Sequence, residues 1–190
     1  MGCVALSQPD LDVWLADPRI RTRNQQVARS DVDTLWEAAR KVRIGESGLL
    51  GRLICWRIPQ AASQQTYEQM FTSPPFVILE SGERRLLVGV CGRIWSAKPR
   101  LAPLNGPEAF GRWTVPGTVR VLFAQWTERH PGGAVLISEV RVRPVDRRAG
   151  LALTALSPFI SRFQALIGTE PLRLAVVRAE AAQSDPRRSN

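Results

Sequence analysis

Between Phe76 and Arg143 the chain alternates short extended runs with turn signals, and from Asp146 to about Arg178 it becomes one long amphipathic stretch. Strands joined by short turns pair antiparallel with their neighbours. The sheet they form has an apolar face to hide, and a single long helix at the end of the chain hides it by lying across it. A curved sheet gripping a helix leaves a cavity between the two layers, so the pattern predicts a cup for a small molecule.

The turns punctuate the run clearly. Phe76–Glu80 and Arg84–Trp95 flank Ser81-Gly82-Glu83, and Thr118–Glu128 and Gly133–Arg143 flank Arg129-His130-Pro131-Gly132; both connectors have hairpin chemistry. Ser96–Pro107 reads as a loop and Glu108–Val115 as a short strand ending at Pro116-Gly117. Upstream, Arg19–Ala28 has the polarity of an edge strand. Ser30 and Asp33 have capping-box spacing before a helix with Val32, Leu35, Trp36, Ala39 and Val42 on one stripe. A second short helix carries Leu49, Leu50, Leu53 and Ile54, and Gln60–Pro75 is a polar connection. In the last helix, Leu153, Leu156, Ile160, Phe163, Ile167, Leu174 and Val177 recur near a period of 3.6. Pro158 and Pro171 predict a kink there, with a new helical segment starting at Pro171. The expected organisation is an irregular segment at 1–18, one domain at 19–180 and a disordered tail at 181–190.

Composition narrows the function classes. The hydrophobic fraction is 44% and the charged fraction 23%, values of an ordinary globule. No apolar run approaches the roughly 18 residues that span a bilayer, and the N-terminus lacks the pattern of a signal peptide. Met1-Gly2-Cys3 lacks the Ser or Thr that N-myristoylation wants at position 6. The expected compartment is cytoplasmic. The net charge of +9 divides as +2 over residues 1–95 and +7 over 96–190. Basic residues are scattered singly, without an aromatic-interleaved stripe, which reads as a solvated face rather than a specific nucleic-acid surface. A basic-surface binder of nucleic acid or an acidic partner is the third functional reading.

The catalytic inventory is poor. His130, the only histidine, lies in a turn, which removes Ser-His-Asp and Cys-His arrangements and most histidine metal sites. Lys41 and Lys98 lie on a polar helix side and in a loop, which disfavours a buried Schiff-base lysine. Cys3, Cys55 and Cys91 show no paired spacing and read as small apolar residues. Tyr67, the only tyrosine, falls in the polar connection. No phosphate-cradling glycine loop is present. No catalytic residue, metal or cofactor is assigned.

The element order, with Gly92-Arg93-Ile94-Trp95 closing a strand, Val115-Pro116-Gly117 before a long strand, and Ser138-Glu139-Val140-Arg141-Val142 before Asp146-Arg147-Arg148, resembles the START-like superfamily. That superfamily, also called SRPBCC, includes polyketide cyclase/dehydrase-like proteins. The resemblance covers residues 19–180. It implies an α+β helix-grip fold: a curved antiparallel sheet of six or seven strands around a long C-terminal helix, with two short helices after the first strand. It also implies a cavity for an apolar or aromatic ligand, lipid or polyketide-like. A polyketide cyclase/dehydratase-like enzyme that works by positioning is the alternative, since such an enzyme needs little acid–base chemistry. Pro171 and the long proline-rich loop after Trp95 depart from the superfamily's usual pattern.

Strand alternation chooses the cavity face. The charge-free sets Val119, Val121, Phe123, Gln125, Thr127 and Leu136, Ser138, Val140, Val142 are expected to point inward. Phe123, Gln125, Leu136, Ser138 and Val140 are therefore candidate lining residues, joined by Phe159 or Phe163 from the helix and by Trp95 and Trp113. Arg93 shares its parity with Leu87, Gly89, Cys91 and Trp95. Facing inward, it needs a carboxylate or an anionic ligand group; otherwise it points outward or pairs with Glu108 or Glu139.

Overall fold

The computed structural model describes residues 8–58, 61–95 and 99–184, and for residues 49, 57 and 156–168 the backbone alone. In chain order the elements are α1 (Asp12–Leu15), β1 (Ile20–Ala28), α2 (Val32–Arg40), a 3-10 turn (Ile44–Glu46), α3 (Gly48–Arg57), α4 (Tyr67–Phe71), β2 (Val77–Gly82), β3 (Arg85–Arg93), β4 (Arg100–Leu101), α5 (Pro107–Gly111), β5 (Val119–His130), β6 (Gly133–Pro144) and α6 (Arg147–Gln183). The fold is α+β: a curved, six-stranded, wholly antiparallel sheet in the order β1-β6-β5-β3-β2, with β4 beside β3, and a long C-terminal helix across it.

Local chemistry explains most boundaries. β5 and β6 pair from Val119↔Pro144 to His130↔Gly133, leaving Pro131-Gly132 as a two-residue turn; Gly133 follows it at φ 129, where a side chain is strained. β1 pairs only with β6, so it is the edge strand its polarity predicted. Three expectations need correction. The cap of α2 is Asp31, not Ser30: its carboxylate accepts from the Asp33 and Thr34 amides, at 2.9 and 2.8 Å. Glu108–Val115 is no strand, because Pro107 at the first helical position, where no intrahelical amide bond is needed, starts α5 instead. And α6 runs through Pro158 and Pro171 as one helix rather than restarting. Packing of Leu153 near its start and of Leu172, Ala175 and Ala179 near its end offsets the hydrogen bonds the prolines remove.

Both faces of the sheet are covered. On the concave face, Val119, Val121, Val140 and Val142 pack on Leu153 near the start of α6, and Ala134 and Leu136 pack with α2 and with Leu172, Ala175 and Ala179 near its end. The charge-free strand faces are therefore the ones that meet the helix, as alternation predicted. The convex face is not left to solvent. Leu122, Ala124, Trp126, Val135 and Ile137 are buried there beneath Leu11 and Leu15 of the N-terminal segment, with Phe110 of α5 over β3. Gly89 makes room for that phenyl ring: a Cβ at this position would stand 2.5 Å from Phe110 Cδ2.

The charges of the convex set hold this cover down. Arg120 donates to the Trp14 carbonyl at 2.6 Å, Arg141 to the Leu15 carbonyl at 3.1 Å and Arg143 to the Ala16 carbonyl at 3.3 Å. These carbonyls end the α1 turn, where orphan acceptors need donors. Arg141 also pairs with Asp12 and, at 2.7 Å, with Glu139, which is fully buried and receives Arg21 at 2.9 Å as well. Residues 8–18, expected to be irregular, thus contain a helical turn clamped to the sheet.

Candidate functional site

Part of the concave face of the sheet is only half-buried. A cavity of about 40 Å³ lies there, walled by Leu86, Val88, Phe123, Gln125 and Ser138 from β3, β5 and β6. Ala39 of α2, Tyr67 and Phe71 of α4, and Pro171 and Leu172 of α6 complete it. Phe123, Gln125 and Ser138 are only half-buried. Phe71, Phe76 and Phe123 form an aromatic group beside this space, with centroids 5.2 to 5.9 Å apart and edge-to-face or tilted rings.

Three buried polar atoms without a hydrogen-bond partner belong to the same end of the fold: Tyr67 Oη, Ser47 Oγ and Glu170 Oε2. Burial pushes the Tyr67 phenol up to about 12; a hydrogen-bonding approach of the Ser47 hydroxyl, outside regular hydrogen-bond geometry, acts against this, and the Glu170 carboxylate adds to it. The phenol therefore stays protonated at neutral pH and serves as a donor. Glu170 directly precedes two cavity residues, Pro171 and Leu172. Its other oxygen faces the start of α3, 3.3 Å from where a Cβ on Gly48 would lie.

A second, wider recess of about 480 Å³ opens at the N-terminus of α6, between Arg93, Trp95, Pro116, Gly117, Asp146, Arg148, Ala149 and Ala152. Asp146 is already engaged there. It accepts from Ala149 N at 2.8 Å, capping α6, and from Gly117 N at 2.6 Å, fixing the helix start to the turn before β5. Those two amides hold its carboxyl below the ordinary value. Arg93 is exposed and, among the described residues, reaches the Gly117 carbonyl at 3.5 Å. Nothing in this recess is both buried and unpaired among the described residues.

The sequence-predicted residues thus separate. Phe123, Gln125 and Ser138 line the cavity. Leu136 and Val140 share their face but are packed into the core on either side of it. Arg93 and Trp95 border the open recess. The parity of Arg93, shared with Leu87 and Cys91, belongs to the convex face, and it pairs with neither Glu108, which Arg112 engages, nor Glu139. Trp113 lies on the convex side, its indole donating to Thr118 Oγ1 at 2.9 Å. The side chains of Phe159 and Phe163 lie outside the described residues. Tyr67, Phe71 and Glu170 were missed. The signal for the first two was present: Thr66 and Gln69 form a capping box that starts α4 inside the supposed connection. Cys91 is an apolar packing unit whose thiol burial pushes up to about 12. Among the described residues no group of histidine, cysteine and carboxylate side chains is arranged to hold a metal ion. No described helix is long and apolar enough to cross a membrane.

The chain matches no protein-family model and no curated protein. Solved structures resemble it in architecture. A Thermus thermophilus protein is 9% identical, with 87% of this chain and 100% of that one covered at a TM-score of 0.36. The Zhui aromatase/cyclase of a Streptomyces species is 15% identical, with 86% and 97% covered at a TM-score of 0.37. A Mesorhizobium loti protein is 15% identical, with 78% and 96% covered at a TM-score of 0.32.

Proposed function

We propose that the protein is a START-like, non-catalytic binding protein for an apolar or aromatic small molecule, acting in the cytoplasm. Residues 19–180 form its ligand-binding unit, and the ligand lies between the concave sheet face and α6. The observation that carries this reading is the half-buried stretch of concave face at Phe123, Gln125 and Ser138, beside three phenylalanines in edge-to-face and tilted contact. A purely structural sheet–helix interface fills such a stretch with interlocking side chains. Aromatic rings set edge-to-face beside a few polar groups suit a flat apolar ligand.

At about 40 Å³ the cavity is well below the roughly 300 Å³ of ordinary small-molecule sites. Ligand entry therefore requires side chains to move apart, and the half-buried Phe71 and Phe76 are the ones placed to do so. Native mass spectrometry of freshly purified protein tests the reading: a co-purified apolar mass is expected, lost on Phe123→Arg. Bare protein that also fails to bind any aromatic probe up to its solubility limit would reduce the cavity to a packing defect.

A further inference from the structure

Three stretches far apart in the chain meet at the wider recess beside the start of α6. Arg93 and Trp95 come from the end of β3 and just beyond it, Gly117 from the turn before β5, and Arg148 with two alanines from the first turns of α6. At about 480 Å³ the recess has the size of an ordinary small-molecule site, which the concave cavity does not.

Its wall divides by chemistry. Trp95, Pro116, Ala149 and Ala152 form the apolar part. Trp95 is half-buried and packs against the core cluster of Val119, Val142 and Leu153, which anchors its ring. Ala149 and Ala152 stand three residues apart on one helix face, where their short side chains leave room in front of them. Arg93 and Arg148 form the charged part. Both are exposed, and among the described residues neither forms an ion pair with a carboxylate. The Arg93 guanidinium lies along the turn before β5: its Nε reaches the Gly117 carbonyl at 3.5 Å, and a Cβ on Gly117 would stand 3.4 Å from its Nη2.

Asp146 is the one carboxylate in the wall, and both its oxygens are turned to amides, those of Ala149 and Gly117. The recess thus holds two cations against one engaged anion, a surplus of one positive charge. Because Asp146 already takes the Ala149 amide, recognition of a ligand falls to the two guanidiniums rather than to the helix start. A guanidinium offers a carboxylate parallel N–H donors in matching geometry, and a flat ring gains most against an indole. A phosphate ester brings nearly two negative charges where the surplus is one.

We infer that this recess is a second binding site, for an aromatic carboxylic acid in its anionic form, with the carboxylate held by Arg93 and Arg148 and the ring against Trp95. It uses none of the residues of the concave cavity, so either site can fail without the other.

Equilibrium dialysis of the intact protein at low ionic strength, where exposed charges are least screened, tests this with 2-naphthoate, 2-naphthamide and acetate. The amide keeps the ring without the charge, and acetate keeps the charge without the ring. 2-Naphthoate is expected to bind at least about tenfold more tightly than either. Arg93→Met and Arg148→Met should each weaken 2-naphthoate severalfold, leave 2-naphthamide within about twofold and leave the melting temperature unchanged. Equal affinity for acid and amide overturns the inference, as does failure of 2-naphthoate to bind up to its solubility limit. A preference for the acid that survives in the double variant Arg93→Met/Arg148→Met places it elsewhere on this basic protein and overturns the site too. 2-Naphthyl phosphate should bind no more tightly than 2-naphthoate; markedly tighter binding would transfer the recess to phosphate esters and overturn the carboxylate assignment.

Discussion

Tyr67 shows how much one atom can reveal. An unpaired buried hydroxyl contributes nothing favourable to stability, so removing it should be harmless where removing a bonded one is not. Tyr67→Phe is expected to leave the melting temperature of the free protein unchanged or slightly raised; a loss above about 1 kcal/mol in urea unfolding would mean that the phenol has a structural partner. Glu139 presents the opposite case. It is fully buried and bonded to Arg141 and Arg21. Arg141→Met strands much of that charge and also frees the Leu15 carbonyl, so a loss of about 3 kcal/mol is expected. Adding Glu139→Gln should restore part of it, and failure of the double variant to improve on the single one would show that Arg141 acts through α1 alone.

At the level of elements, the covering of the convex face is the feature that most changes the reading of the chain. Leu15 has 1% exposure and Phe110 none, and both lie on the side of the sheet that carries its charges. Leu15→Ala should destabilise by about 3 kcal/mol, as expected for a large-to-small change in a packed core, despite its place near the chain terminus. Gly89→Ala pushes a methyl into the Phe110 ring, and overpacking of that kind costs about 1–3 kcal/mol. Calorimetric unfolding of both variants measures these values; a Leu15→Ala protein as stable as the parent would mean that the N-terminal cover is not part of the cooperative unit.

For the whole molecule, two caps tie stability to pH. Asp31 is held below its ordinary value by the Thr34 hydroxyl and amide, and Asp146 by the Ala149 and Gly117 amides. A carboxyl whose folded value is depressed binds its proton more readily when unfolded. Its contribution is therefore complete above the unfolded value and disappears as pH falls through the folded one. Urea midpoints should accordingly hold between pH 7 and 5 and then decline below the ordinary carboxylate range, with Asp31→Asn flattening part of the decline. Asp146 joins the start of α6 to the turn before β5, so its protonation loosens the grip of helix on sheet.

The sequence by itself determined the element order, the antiparallel sheet, the edge position of β1 and the strand faces that meet the helix. Each follows from local periodicity and turn chemistry, such as the turn signal in Arg129-His130-Pro131-Gly132, which the structure tightens to Pro131-Gly132, or the alternation of Val119, Val121 and Phe123. It also supplied three of the cavity residues, Phe123, Gln125 and Ser138, because a strand face is a period-2 property. Tertiary structure alone decided the rest. Alternation marks Arg120, Arg141 and Arg143 as a charged face but cannot say that the carbonyls of Trp14, Leu15 and Ala16 will cap it. Nor does any local pattern bring Ser47 and Tyr67 close to Glu170, which lies about a hundred residues further along the chain. Contacts between residues distant in sequence leave no periodic trace, and that is why the scaffold was legible and the surroundings of Tyr67 were not.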